Sequence, residues 1–129
     1  MTATRSVLVV DDDEDIRESL IGCLEAEGYR PVGAANGQRA LELLAQLDAL
    51  PCLILLDLMM PVMDGRRFRE EQLRSPVLSQ IPVVMISAYA PDPAAVARDL
   101  KIDECLPKPV DPTVLLELIG RYCNPKPAD

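Results

Sequence analysis

The sequence predicts an α/β fold, a doubly wound five-stranded parallel sheet, because short apolar runs alternate with stretches of helical periodicity. Three runs, at positions 7–10, 53–56 and 83–86, are apolar at every residue. Strands that are apolar on both faces are typical of parallel sheets covered by helices on each side. Weaker strands are expected at 30–34 and at 105–106. Parallel neighbours require crossovers, and the periodic stretches between the runs are long enough to supply them.

Five helices are expected between and after these runs. The first carries Ile16 and Leu20 on its apolar face and ends at Gly28, and the second follows the Asn36-Gly37 turn. The third covers 65–74, the fourth covers 93–100 with Asp92 as its N-cap, and the fifth opens at Pro112. The predicted buried face of the fifth helix comprises Val114, Leu115, Leu118, Ile119 and Tyr122.

Length and composition favour one domain, expected over residues 1–124 and followed by a flexible tail at 125–129. With 13 Lys and Arg against 21 Asp and Glu, the net charge of −8 argues against direct binding to nucleic acid or anionic membranes. No apolar segment has the length of a signal peptide or of a membrane span, so a cytoplasmic protein without membrane insertion is expected.

The four cysteines, Cys23, Cys52, Cys105 and Cys123, are widely spaced, and the chain has no histidine. Mixed Cys/His zinc patterns are therefore excluded. We expect four reduced thiols that act as small hydrophobic residues.

Polar residues follow the predicted strands at one shared position. Asp11 and Asp12 follow the first strand, Asp57 the third, Ser87 the fourth, and Lys108 comes shortly after the fifth. In open α/β sheets, ligands bind beyond the carboxyl ends of the strands, where the strand order reverses. If the order is 2-1-3-4-5, that reversal lies between the first and third strands, and the three carboxylates meet there.

Carboxylates crowded at one edge repel each other unless a cation joins them, and oxygen ligands suit Mg²⁺. A carboxylate can also attack phosphorus to form an aspartyl phosphate. A lysine and a serine would then supply a positive charge and a hydroxyl donor. Each residue also has a simpler interpretation: the acidic run is a solvated loop in which Asp13 caps a helix, and Lys108 is an exposed turn residue.

Four segments carry a resemblance to a known family: VLVVDD at 7–12, LLDLMMPVMDG at 55–65, ISA at 86–88 and LPKP at 106–109. Together they resemble the receiver domains of two-component response regulators, of the single-domain chemotaxis type, over about residues 6–122. This resemblance implies a flavodoxin-like (βα)5 fold with strand order 2-1-3-4-5. It also implies a phosphoacceptor regulatory domain rather than an enzyme, apart from self-catalysed phosphotransfer and autodephosphorylation.

The resemblance implies a magnesium site, with Mn²⁺ as a possible substitute. Asp57 is expected to be both phosphoacceptor and metal ligand. Asp12 would bind the ion directly, Asp11 mainly through water, and Met59 through its backbone carbonyl.

For the phosphoryl group, the resemblance implies that Ser87 is the switch hydroxyl and that Lys108 contacts the phosphoryl oxygens. The Lys108–Pro109 bond is expected to be cis. The donor would be a histidine kinase or a histidine phosphotransfer protein, and the output would pass to a downstream protein target.

One position departs from the family pattern. Cys105 stands where many receivers carry a tyrosine or phenylalanine of the output switch, and a cysteine is too small to swing as a ring. We expect Tyr89 to take over part of the signalling surface, and Met59 and Tyr89 to flank the phosphoryl group and slow its hydrolysis.

Two other functions are compatible with parts of the sequence. The Asp-x-Asp of residues 11–13 resembles the nucleophile loop of haloacid-dehalogenase-type phosphohydrolases, in which Asp11 would be the nucleophile and Asp13 the acid/base. Alternatively, the chain is a receiver-like interaction module that works without phosphorylation.

Overall fold

A computed structural model describes residues 5–58, 60, 62–87, 93–102 and 104–123. The strands are β1 Ser6–Val10, β2 Arg30–Ala34, β3 Leu53–Asp57, β4 Val83–Ser87 and β5 Glu104–Pro107. The helices are α1 Glu14–Ala26, α2 Gly37–Gln46, α3 Gly65–Arg74, α4 Pro93–Leu100 and α5 Pro112–Cys123, with a 3-10 turn at Leu78–Gln80. Within these ranges no helix has the length and apolar character needed to cross a membrane.

All five strands are parallel and form one sheet in the order β2-β1-β3-β4-β5. The predicted doubly wound flavodoxin-like fold is confirmed. Since β1 lies between β2 and β3, the strand order reverses there. The register sets Val10 beside Leu56, and Asp57 beside Ile86. The carboxyl ends of the three central strands therefore lie at the same height.

Alternate residues of the central strands pack into two apolar layers on opposite faces of the sheet. Leu8 and Leu56 point to the layer formed with α2, α3 and α4, whereas Val9 and Leu55 point to the layer formed with α1 and α5. All four side chains are fully buried. Burial on both faces explains why these strands are apolar at every position.

Capping residues define the ends of several helices. The side chains of Asp13, Asn36 and Asp64 accept hydrogen bonds from backbone N–H groups in the first turns of α1, α2 and α3. Gly28 follows α1 with φ +86°, a left-handed conformation that favours glycine. The predicted N-cap of α4, Asp92, lies outside the described residues.

The predicted buried face of α5 is wrong at Val114, and Tyr122 is only half-buried against the layer that α5 forms with α1. Val114 is 45% exposed, and the buried residues of the helix are Leu115, Leu118, Ile119 and Cys123. Leu115, Ile119 and Cys123 follow each other at i, i+4 spacing, and Val114 precedes this stripe in the first turn.

The prediction of four free thiols is also wrong. Cys52 and Cys123 form a disulfide, while Cys23 and Cys105 are free. The bonded pair is 71 residues apart in sequence, with Cα atoms 5.2 Å apart. Cys52 directly precedes β3 and Cys123 ends α5, so the fold brings together two cysteines that no local spacing pattern connects.

A buried polar network joins α3 to the end of α4. Arg69 donates to the carbonyl oxygens of Leu100 at 2.9 Å and Lys101 at 2.8 Å, and to Gln72 Oε1 at 2.7 Å. Gln72 Nε2 in turn donates to the carbonyl oxygen of Ile81 at 3.1 Å. The guanidinium thus satisfies carbonyls that every helix leaves unpaired at its C-terminus.

We expect Arg69→Met to lower the free energy of unfolding by about 1–3 kcal/mol, because it leaves buried carbonyl oxygens without donors. The control is Arg67→Met on the same helix, where the guanidinium is 61% exposed and pairs with Glu71. That change should cost about 0.5 kcal/mol or less. Urea unfolding measures both, and equal losses in the two variants would contradict the role given to Arg69.

Candidate functional site

Three carboxylates meet at the carboxyl ends of β1 and β3. One oxygen from each of Asp11, Asp12 and Asp57 lies within 4.8 Å of the others, close enough for a single metal ion. Asp11 and Asp57 are buried, at 1% and 3% exposure, whereas Asp12 is exposed. Sequence reasoning placed these residues at one edge of the sheet, and the structure brings them together there.

The loop after β1 fixes the orientation of Asp11. The backbone N–H of Asp13 donates to Asp11 Oδ1 at 2.9 Å, and Arg17 Nη1 donates to the Asp11 carbonyl oxygen at 2.8 Å. Asp11 Oδ2 therefore turns toward the rest of the site. Arg17 was not predicted, because no pattern distinguishes it from other basic residues on helices.

Lys108 sits between the two buried carboxylates. Its Nζ lies 3.0 Å from Asp11 Oδ2 and 3.4 Å from Asp57 Oδ2. Asp11 Oδ2 has no aligned hydrogen-bond donor among the described residues, so its 3.0 Å contact with Lys108 is an ion pair without hydrogen-bond geometry. The Lys108–Pro109 peptide bond is cis, as the resemblance implied.

The charge of Lys108 is strongly favoured in this position. Burial lowers the pKa of its ammonium, but the close contact with Asp11 and the negative charges of Asp57 and Asp11 outweigh burial. The pKa of Lys108 therefore lies above its ordinary value. The lysine remains cationic across the neutral range and offsets part of the carboxylate charge.

Ser87 ends β4 beside this cluster, since its neighbour Ile86 pairs with Asp57. Its side chain is buried, and its Oγ has no hydrogen-bond partner within the part of the chain that the structure describes. A buried hydroxyl without a partner is costly. An oxygen of a ligand bound to Asp57 would satisfy it.

The loop after β3 returns tightly against the end of the strand. A Cβ at Gly65 would lie 2.5 Å from the carbonyl oxygen of Asp57 and 2.8 Å from Leu58 Cα, so only glycine fits. The Gly65 N–H donates to the Leu58 carbonyl oxygen at 2.9 Å. Within this loop, Val62 is 84% exposed with φ 68°, a strained conformation for a β-branched residue.

The remaining predicted site residues are less closely defined. Met59 and Tyr89 lie outside the described residues, so their predicted roles stay predictions. Cys105 is half-buried against the apolar layer of α2, α3 and α4, and burial raises the pKa of its thiol. It is therefore a packed, protonated thiol at neutral pH.

The carboxylate of Asp13 serves the backbone of α1. Its Oδ1 accepts from the Ile16 N–H at 3.0 Å, and the residue is exposed. This geometry matches the capping interpretation of Asp13 and gives no support to an acid/base role in a phosphohydrolase.

A family model described as the response regulator receiver domain matches residues 7–120. The chain belongs to this family. It is 38% identical to the "Uncharacterized 14.6 kDa protein in sodA1 3'region" of Leptolyngbya boryana, over 98% of this chain and 96% of that protein. It is also 38% identical to the transcriptional regulatory protein CpxR homolog of Haemophilus influenzae, over 89% of this chain but only 47% of that protein.

Solved receiver structures share the fold over nearly the whole chain. Chemotaxis protein CheY4 of Vibrio cholerae superposes with a TM-score of 0.83 at 28% identity, covering 93% of this chain and 99% of that chain. A CheY-like receiver domain protein of Methanospirillum hungatei gives 0.82 at 28% identity, covering 95% of each chain. The protein is thus a regulatory receiver domain of two-component signalling. Receiver domains generally bind Mg²⁺ at an acidic pocket, and the cluster of three aspartates fits such a pocket.

We expect Mg²⁺ to raise the melting temperature of the protein, with a stabilisation of about 1.4 kcal/mol at ten times the dissociation constant. Asp12→Asn should weaken Mg²⁺ binding roughly tenfold or more and so reduce the stabilisation at the same Mg²⁺ concentration to about 0.4 kcal/mol or less, because it removes a carboxylate from the proposed metal site. The control is Asp15→Asn, which changes another exposed carboxylate in the first turn of α1. Equal Mg²⁺ responses in the two variants would contradict the site.

We expect Ser87→Ala to leave the free energy of unfolding unchanged or to raise it by up to about 1 kcal/mol, because the hydroxyl has no described partner to lose. The matched substitution Ser75→Ala should lower it by about 1 kcal/mol, since Ser75 Oγ accepts from the Leu78 N–H at 3.1 Å. Denaturant unfolding compares the two, and a larger loss at Ser87 would show that its hydroxyl is bonded.

Proposed function

We propose that Asp57 accepts a phosphoryl group from a histidine kinase or a histidine phosphotransfer protein and thereby switches a partner-binding surface. The observation that carries this proposal is the meeting of three carboxylates and Lys108 at one sheet edge, with the lysine 3.4 Å from Asp57. This set supplies a nucleophile, ligands for a hard cation and a fixed positive charge.

In the proposed transfer, a carboxylate oxygen of Asp57 attacks the phosphorus of a phosphohistidine. The O–P bond forms as the P–N bond breaks, and the imidazole leaves with its electron pair. Asp11, Asp12, Asp57 and the Met59 carbonyl would hold Mg²⁺, or Mn²⁺ in its place, and the bound ion would offset charge on the phosphoryl oxygens. Lys108 would move from its carboxylate contacts to a phosphoryl oxygen.

Ser87 is proposed as the residue that senses the product. Its hydroxyl is buried at the end of β4, one residue after the partner of Asp57 in the sheet, and a phosphoryl oxygen would provide the acceptor that it lacks among the described residues. Formation of this hydrogen bond would pull the end of β4 toward the site. We propose that this movement alters the surface seen by a downstream protein, with Tyr89 contributing to it and Cys105 leaving the usual aromatic switch incomplete.

A cleft beside the site offers the donor protein a place to dock. It has a volume of about 300 Å³, lies between α1 and the loop after β5, and is lined by Ile16, Leu20, Lys108 and Val110 among others. Its apolar wall would accept an aliphatic side chain while the donor histidine approaches Asp57. The chain has no histidine, so the donor must be another protein or domain.

We further propose that residues 1–124 form the receiver domain, that 125–129 are a tail, and that the protein works in the cytoplasm. A net charge of −8 disfavours direct contact with nucleic acid or with anionic membranes. The only catalysis proposed is self-catalysed phosphotransfer and autodephosphorylation.

We expect incubation with acetyl phosphate and Mg²⁺ to add one phosphoryl mass to the intact protein, and Asp57→Asn to abolish this gain by removing the nucleophile. The control is Asp64→Asn, seven residues later, because asparagine retains the helix-capping role of Asp64. Intact-mass spectrometry measures the added mass in the wild type and in both variants.

Two results would contradict this proposal, and each would favour a different function. A wild-type protein that gains no mass under these conditions would be a phosphorylation-independent interaction module. A gain that survives Asp57→Asn but is lost in Asp11→Asn would favour the phosphohydrolase-type nucleophile.

A further inference from the structure

The disulfide lies at the edge of the sheet opposite the carboxylate cluster. Cys52 immediately precedes β3, whereas Asp57 ends the same strand, so the bond is about 16 Å from the phosphoacceptor along the chain. Cys123 is the last residue of α5 and is buried, at 2% exposure. The bond therefore ties the end of α5 to the start of the central strand.

We propose that Cys52 and Cys123 form a redox-reversible clamp that controls the stability of the fold and the attachment of the α5 C-terminus. In the cytoplasm proposed above, the dithiol form would be present while the glutathione pool is reduced, and the disulfide would form when that pool becomes oxidised. The Cα separation of 5.2 Å falls within the range that disulfides require, so the fold holds the two cysteines at bonding separation.

The reaction is a thiol–disulfide exchange with a low-molecular-weight disulfide such as glutathione disulfide. A thiolate of the protein attacks one sulfur of the oxidant, forming a mixed disulfide and releasing one thiol. The second cysteine then attacks the mixed disulfide, forms the Cys52–Cys123 bond and releases the second thiol. The protein loses two electrons and two protons, and the oxidant gains them.

The difference in burial between the two cysteines determines which one reacts first with the external disulfide. Cys52 is half-buried whereas Cys123 is buried, so an external disulfide reaches Cys52 first. Cys123 then resolves the mixed disulfide from inside the fold. The other two cysteines, Cys23 on α1 and Cys105 on β5, are free thiols, so the test below replaces both.

The clamp should act mainly on stability. Closing a loop between residues 71 apart restricts the unfolded chain strongly, so reduction should destabilise the fold without rearranging the site. Reduction should also free the last turn of α5 to fray, while the Asp57 end of β3 stays held by its pairing with β1 and β4.

The test uses the full chain, with Cys23→Ser and Cys105→Ser as the background that retains only the pair. Alkylation and intact mass should find no free thiol after treatment with glutathione disulfide and two after dithiothreitol. Reduction should lower the melting temperature by roughly 10–20 °C. Hydrogen exchange should rise in the last turn of α5. Two thiols in both conditions, or an unchanged melting temperature, would overturn the proposal.

Single cysteine variants test the order in which the two thiols react, and phosphorylation assays test whether the clamp is independent of Asp57. In the same background, Cys123→Ser should trap one glutathionyl group on Cys52, whereas Cys52→Ser should leave Cys123 unmodified; the reverse would overturn the assigned order. Acetyl phosphate should label the oxidised and reduced forms equally, and unequal labelling would overturn independence from Asp57. Because thiol counting needs no phosphorylation, failure of the clamp is distinguishable from failure of the proposed phosphotransfer.

Discussion

The electrostatic balance between Lys108 and the two buried carboxylates is the interaction on which the site depends. Charges about 4 Å apart interact by about 4 kcal/mol at the effective dielectric of a protein surface, so two carboxylates this close repel each other unless a cation lies between them. Lys108 supplies one positive charge for both, and Asp12 adds a third carboxylate at the rim. Three carboxylates and one lysine give the site a formal net negative charge, which favours the binding of a divalent cation.

This balance requires a rigid support, which the sheet provides. The residues of β1, β3 and β4 at the shared edge are buried on both faces, and the pairing of these strands fixes their carboxyl ends at one height. The Asp57 end has a second constraint, because Gly65 packs directly against the Asp57 carbonyl. Close packing of this kind permits little adjustment of the backbone. The adaptable parts are therefore side chains: the Lys108 ammonium and the Ser87 hydroxyl.

Most of this arrangement could be predicted from sequence because its signals are local. Continuous apolar runs identify the strands, caps such as Asp13 mark helix starts, and the chemistry-bearing residues follow strands whose topology is constrained. The features that escaped prediction arise from tertiary structure. No sequence pattern near Cys52 indicates that it pairs with Cys123. Likewise, nothing in the sequence distinguishes the buried Arg69 from the exposed Arg67, because Arg69 is buried only through its contacts with the end of α4. Arg17 was not predicted because it contacts the backbone carbonyl of Asp11, and no pattern of side chains reveals such a contact.

The buried Arg69 network bears on how a signal at Ser87 could travel. It anchors the C-terminal end of α4 through the carbonyls of Leu100 and Lys101. The other end of α4 begins six residues after Ser87 in the chain. In the switch proposed above, a Ser87 hydroxyl that moved toward Asp57 would pull on that end, whereas the anchored end would resist. Since Cys105 packs beside this helix without the bulk of an aromatic ring, we expect the response to be concentrated at the start of α4 rather than in a side-chain rotation on β5.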